Sequence, residues 1–359
     1  MNPYKQRVCN THKQMIKNCS KCQKGSKYAS VESELLYQKY YDSLEAVPND
    51  DGTFSVRCNY DFWEKKTKAG QLENSMFLTA EKSVKKLYDK AKKVGLLQNL
   101  EDHMIKMEKA GAIELVDKQE MEQILNGKRL SNFCSQNYVE KLTSKRSKIR
   151  PVNDTSRIIP NLGYSLVDIM ESPKNCINTL VNAYMVFTLH QSHCESDIHS
   201  AYWAVGASAS QSESSLIPWF FDMETDGLEQ PIVVRATVQQ FGWAVAGALL
   251  QAGLEKFVAK DLEDPFLEHI VADLVYVDNV PLSSPMNCPL ATNMIISKVR
   301  EKFKLYNFPL DDLSMPGEHN QGEDKFQTCY GVSWNKQDDT IVPAITLSLH
   351  PSHLSLIHI

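Results

Sequence analysis

The stretch DLVYVDNVPL, residues 273–282, sets two apolar runs on either side of the polar pair Asp278 and Asn279. Apolar runs broken by a short polar step read as a β-hairpin, with Leu274 to Val277 as the incoming strand and Val280 to Leu282 as the return. Asn suits such a corner because it tolerates left-handed backbone angles. A carboxylate at a hairpin tip is also what one half of a two-metal site would look like, in which acids from two places hold divalent cations a few ångströms apart. The other half has to come from elsewhere in the chain.

Bulk properties narrow where to look. At 359 residues, 42% hydrophobic and 23% charged, the chain can bury one or two cores of ordinary size. Its longest apolar run, GWAVAGALLQAGL (242–254), is interrupted by Gln251 and falls short of the ~20 residues that span a bilayer, so no membrane partner is expected. The start, MNPYKQRVCNTHKQ, lacks the apolar core of a secretory signal. A reducing, cytoplasmic location is expected, with nuclear access after assembly, and the nine cysteines read as thiols or metal ligands. The net charge of −5 excludes a uniformly basic coat but says nothing of local fields.

Residues 1–30 form a basic arm containing Cys9, His12, Cys19 and Cys22, four soft ligands of the kind that Zn2+ takes in a tetrahedron. The alternative is a flexible polar arm. Residues 31–127 read as a mostly helical extension, broken by the turn PNDDG (48–52) and a strand in TFSVRCNY (53–60). Within it, residues 74–95 place Phe77, Ala80, Val84, Leu87, Tyr88 and Ala91 on one helical face, with Asn74 or Ser75 as N-cap and Gly95 as stop. The other face carries Lys82, Lys85, Lys86, Lys90, Lys92 and Lys93, which reads first as a solvated surface. Shorter helices end near Gly111 and Gly127, with a strand in AIELV (112–116). From Gly127 to Pro151 the chain turns strongly basic around Tyr138, which makes phosphate attraction and base stacking physically available.

Two further stretches pair with the hairpin. In ESDIHSAYWAV (195–205), Asp197 ends a short extended run and Ala201, Tyr202 and Trp203 begin a helix. In VVRATVQQFGWAVAGALL (233–250), a β-rich run breaks at Phe241 and Gly242 before a helix of small residues. Spacing alone does not make a site of two distant aspartates. Residue identity goes further: SDIHSAYW resembles the first catalytic motif of reverse transcriptases, and YVDN (276–279) resembles their Tyr-x-Asp-Asp hairpin. QQFGWAVAGALL resembles the motif between them, and YVEKLTSKRSKIRPVNDTSR (138–157) looks like their fingers strand. The subgroup most resembled is the Bel/Pao-type long-terminal-repeat retrotransposons, through DGTFSVRCNYDFWEKK (51–66), KIRPVNDTS (148–156) and YGVSWNKQDDTI (330–341) as well.

The resemblance implies an α+β fold: polymerase fingers and palm over residues 128–345, with an antiparallel palm sheet backed by helices, preceded by the extension. It implies an RNA-directed DNA polymerase acting on a template-primer of RNA or DNA with deoxynucleoside triphosphates. Asp197 and Asp278 would hold Mg2+ or Mn2+, with Asn279 the third catalytic position. Tyr202 would gate against a 2'-hydroxyl, and Lys148 and Arg150 would meet the triphosphate. Phe241 and Gly242 would line the nucleotide, and Tyr330, Gly331 and Trp334 would lie near the primer end.

The departures are specific. Asn279 stands where the family has a second acid, removing one charge from a site built to neutralise charge. Asp273, an odd five residues before Asp278, would point to the opposite face of one strand, and Glu195 would share the face of Asp197 but sit roughly 6 to 7 Å along it. The small-Pro step after the Phe-Gly is absent, with Ala246 and Gly247 in its place. NDTSR (153–157) begins like an aspartic-protease loop, but Arg157 replaces the small residue that loop needs. The end LSLIHI (354–359) resembles a translated library adaptor, so residues 346–359 are expected to be a truncated tail and the chain a fragment of a longer polyprotein. The rival reading is a non-catalytic nucleic-acid-binding remnant.

Overall fold

The computed structural model describes residues 31–60, 75–126, 132–140, 149–158, 165–173, 195–220, 232–282, 289–311, 326–329, 332–335 and 340–343. Helix α1 (Val31–Ser43) leads into an antiparallel hairpin of β1 (Leu44–Pro48) and β2 (Phe54–Cys58), where the strand expected in TFSVRCNY forms with Val56 and Cys58 buried. Helix α2 (Ser75–Lys93) buries Ala80, Val84, Leu87, Tyr88 and Ala91, as its periodicity predicts, while Phe77 is half-buried edge-on against Phe133. Helix α3 (Leu97–Lys109) follows and buries Leu100, Met104 and Met107. Next come β3 (Ile113–Leu115) and α4 (Lys118–Leu125), the latter capped by the Asp117 carboxylate accepting from Glu120 N at 2.8 Å.

β4 (Gln136–Glu140) and β5 (Ile149–Asn153) form an antiparallel ribbon, followed by the single turn of α5 (Leu166–Ile169). β6 (Glu195–Asp197) then runs into a 3-10 turn, Ala201–Ala204, and β7 (Val205–Gly206), which joins β2 in parallel. After α6 (Ala209–Glu213), β8 (Leu216–Trp219) and β9 (Ile232–Ala236) complete a sheet in the order β3-β9-β8. Helix α7 (Ala246–Gly253) continues as a π-helical segment, Leu254–Ala259; α8 (Pro265–His269) likewise continues through Ile270–Leu274. β10 (Asn279–Pro281) pairs with β6, α9 (Pro289–Leu305) follows, and β11 (Phe326–Cys329), β12 (Val332–Asn335) and β13 (Thr340–Pro343) make an antiparallel meander. The architecture is mixed helix and sheet, with small, mostly antiparallel sheets. Among the described residues no helix is long and apolar enough to cross a membrane.

The core centres on α7, where Ala246, Ala248, Leu249, Leu250 and Ala252 are all buried. Its one polar residue is satisfied: the buried Gln251 amide donates to Ala272 O at 2.9 Å and to Glu255 Oε1 at 3.2 Å. Lys256, just beyond, donates its ammonium to the carbonyls of Tyr41 and Leu44 at 2.7 Å and of Asp42 at 3.2 Å. The carbonyls of Tyr41 and Asp42 lie in the last turn of α1 and that of Leu44 opens β1, so the lysine caps the end of one helix from another.

One element differs from its sequence pattern. Leu274 to Val277 do not form a strand: the helical segment runs through Leu274, and only Tyr276 bridges to Asn279. Ile270, Val271, Ala272, Leu274 and Val275 are all buried, and a continuously buried apolar run has no period that separates strand from helix. The helical start was encoded upstream, where Asp264 accepts from the backbone N of Phe266 and Leu267 and Pro265 opens α8. Strand parity therefore does not apply to Asp273, whose carboxylate lies 2.9 Å from His269 Nδ1 one helical turn earlier.

Candidate active-site cleft

The floor of the cleft is the tip of the β6–β10 ribbon, through Asp197, Ile198 and Asp278. Asn279 stands directly opposite Asp197 in register, and Ile198 N donates to Asp278 O at 2.7 Å. That bond pattern makes Asp197 and Asn279 a non-hydrogen-bonded pair, the kind in which facing side chains come closest, with Cα atoms about 4.5 Å apart. Residues 82 positions apart in the chain thus share one face. Asp278 occupies the turn beside them, and the Asn279 amide donates to its carboxylate at 3.3 Å. The turn is a two-residue loop closed by paired bonds between Tyr276 and Asn279 of 3.0 and 2.9 Å. Its left-handed residue is Val277, at φ 57, rather than Asn279, which already belongs to the return strand.

A second wall comes from the turn at Phe241 and Gly242, which precedes α7 by several residues rather than starting it. Asn153 N of β5 donates to Phe241 O at 2.9 Å, and Thr155 Oγ1 donates to Gly242 O at 2.6 Å. Gly242 takes φ 92, and a Cβ there would sit 1.9 Å from Asn153 O. Glycine is thus required for the turn to press on the β5 backbone. Pressed there, the Phe241 ring meets Tyr202 edge-on at 4.9 Å, and the Arg150 guanidinium lies 6.0 Å from the Phe241 ring centre. Burial, and then the nearby charge of Asp278, push the Tyr202 hydroxyl up to about 12. Asp154 is held in a local turn, 3.6 Å from Arg157, so NDTSR serves as a structural corner here.

The third wall was not expected from the sequence. Helix α3 brings His103 and Lys106 to the same cleft, whose volume is about 230 Å3 and whose lining includes Arg150, Asp197, Asp278 and Asp311. The Lys106 ammonium is 3.3 Å from His199 Nε2 and 5.7 Å from the Trp203 ring centre. His199 Nδ1 is 3.3 Å from Asp311 Oδ1, which fits Nδ1 donating to the carboxylate and Nε2 accepting from the lysine. Asp311 is fixed by β6 itself: its N donates to Asp197 O at 2.8 Å and its O accepts from Ser196 Oγ at 2.8 Å. Burial, reinforced by the charges of Lys106 and Arg150, lowers His103 to about 4, so it stays neutral among these cations.

Asp197, Asp278, Asn279, Arg150, Tyr202, Phe241 and Gly242 are therefore brought together. Lys148, Tyr330, Gly331 and the four proposed zinc ligands Cys9, His12, Cys19 and Cys22 lie outside the described residues, as do the side chains of Glu195 and Trp334. Among the described residues, no three His, Cys, Asp or Glu side chains form a ready-made metal cage. Two carboxylates and an amide nevertheless form an oxygen-only donor set, which suits Mg2+ or Mn2+ shared with a phosphate-bearing ligand. No protein-family model matches the chain, and no curated protein matches it.

Proposed function

We propose that this cleft is the nucleotidyl-transfer site of a reverse-transcriptase-like polymerase, with fingers contributed by the β4–β5 ribbon and palm by β6 and β10. The observation that carries the reading is the in-register pairing of Asn279 with Asp197, which sets Asp278 beside them at one end of a cleft that also holds Arg150 and Phe241. Asp197 and Asp278 would hold Mg2+, which supplies charge neutralisation at the reacting phosphate when bound. Arg150 would bind triphosphate oxygens, and Tyr202, packed on Phe241 near Asp278, would serve as the steric gate against a ribose 2'-hydroxyl. Tyr202 keeps its proton throughout the working pH range and acts by shape.

A second reading draws on one bond. The Asn279 amide donating to Asp278 takes up part of the carboxylate that a cation would need, as in a template-binding remnant without catalysis. Primer extension on an RNA template separates the two. The natural chain is expected to extend weakly, Asn279→Asp about tenfold faster, and Asp197→Asn not above background. Template binding without extension by either of the first two would establish the remnant. Asn279→Asp also places like charges directly opposite each other, so its stability is expected to fall and to recover on adding Mg2+.

A further inference from the structure

We propose that α3, which lies outside the recognised motifs, forms part of the nucleotide site, and that Lys106 on it binds the phosphates of an incoming nucleoside triphosphate. The inference rests on the polymerase reading of the cleft and adds a residue to it. Lys106 and Arg150 line the same cleft as the carboxylates of Asp197 and Asp278. Among the described residues, neither cation has a carboxylate within 4.0 Å. Opposite charges kept apart in one small cleft call for a ligand that carries both signs, which a metal-bound polyphosphate does and a neutral or simply cationic molecule does not.

The contacts of Lys106 fit that role. Its partners are an imidazole nitrogen, 3.3 Å away, and the face of Trp203. Both orient an ammonium without neutralising it, so its charge remains available to an anion. A solvated lysine on a helix needs neither contact. Lys109, one turn on, is exposed like Lys106 but does not line the cleft, and serves as the control.

The test is direct binding of a fluorescent deoxynucleoside triphosphate to the full chain in Mg2+, without primer or template. Lys106→Ala is expected to weaken binding about tenfold, the loss of one charge-assisted phosphate contact, while Lys106→Arg stays within about threefold and Lys109→Ala matches the natural chain. Alanine is a better helix former than lysine and the site is exposed, so folding is retained. Affinity unchanged in Lys106→Ala, or no triphosphate binding by the natural chain, overturns the proposal. Triphosphate binding that depends on Lys106 in a chain that extends no primer leaves it standing while the polymerase reading fails. Primer extension with Lys106→Ala binding normally removes Lys106 alone.

Discussion

At Gly242 the backbone takes φ 92, and at Val277 φ 57, so both turns that frame the cleft demand the left-handed region, one with glycine and one with a β-branched residue. The surroundings explain the difference. Gly242 is pressed against the carbonyl of Asn153, where any Cβ would collide with backbone that cannot move aside. Val277 stands at the tip of a ribbon, half-buried, with no such neighbour required. Its left-handed backbone carries strain of roughly 1–2 kcal/mol, held by the bonds between Tyr276 and Asn279 and by the ladder to β6. Left-handed geometry alone, then, does not dictate glycine. Close backbone packing does.

Gly242→Ala should therefore produce the largest effect. It adds a steric clash to an unfavourable φ, and a loss of about 4 kcal/mol or more is expected in urea unfolding. Because Phe241 is placed by the same turn, the ring contacts with Tyr202 and Arg150 should be lost together. A loss below about 1 kcal/mol would mean that β5 does not press on the turn, and the contrast with Val277 would disappear.

How legible this was in the sequence differs between the walls. The inner face of α2 and the strand in β2 follow from periodicity, because local pattern and global fold agree there, whereas the joining of Asp197 to the hairpin was implied only by the family resemblance of their motifs. The run before Asp278 was misread because its apolar residues Ile270, Val271, Ala272, Leu274 and Val275 are all buried, and such a run loses its period. Asp311 was invisible for another reason. It reaches the cleft through a long-range bridge between Ile198 and Leu310, which no local pattern encodes. Lys106 carries no signal in the sequence that sets it apart from other lysines, and only the fold shows that His199 and Trp203 meet it.

Acid probes the α3 wall that stands beside the two turns. His103 has a folded value of about 4 against 6.5 when free, with burial the main cause and the charges of Lys106 and Arg150 second. Between those values the unfolded chain takes up a proton that the folded chain refuses. Its contribution is thus complete above pH 6.5 and lost as pH falls toward 4, by roughly 2 to 3 kcal/mol. Unfolding of the natural chain and His103→Gln across that range should show this component only in the former. Equal slopes would mean that His103 is not shut away among the cations of the cleft.

Val277→Gly should have the smallest effect, because three terms nearly cancel. Glycine relieves the strain of φ 57, but it loses more conformational freedom on folding, by roughly 0.5–1 kcal/mol, and gives up the partial burial of the valine. A net change within about 1 kcal/mol is expected. The matching control lies three residues on: Val280 is fully buried in β10 with ordinary strand geometry, so Val280→Gly removes burial with no strain to relieve, and a loss of about 3 kcal/mol is expected. Comparing the two in urea isolates the strain term. If Val277→Gly costs as much as Val280→Gly, the tip is not strained, and the left-handed valine is held as tightly by its packing as Gly242 is by Asn153.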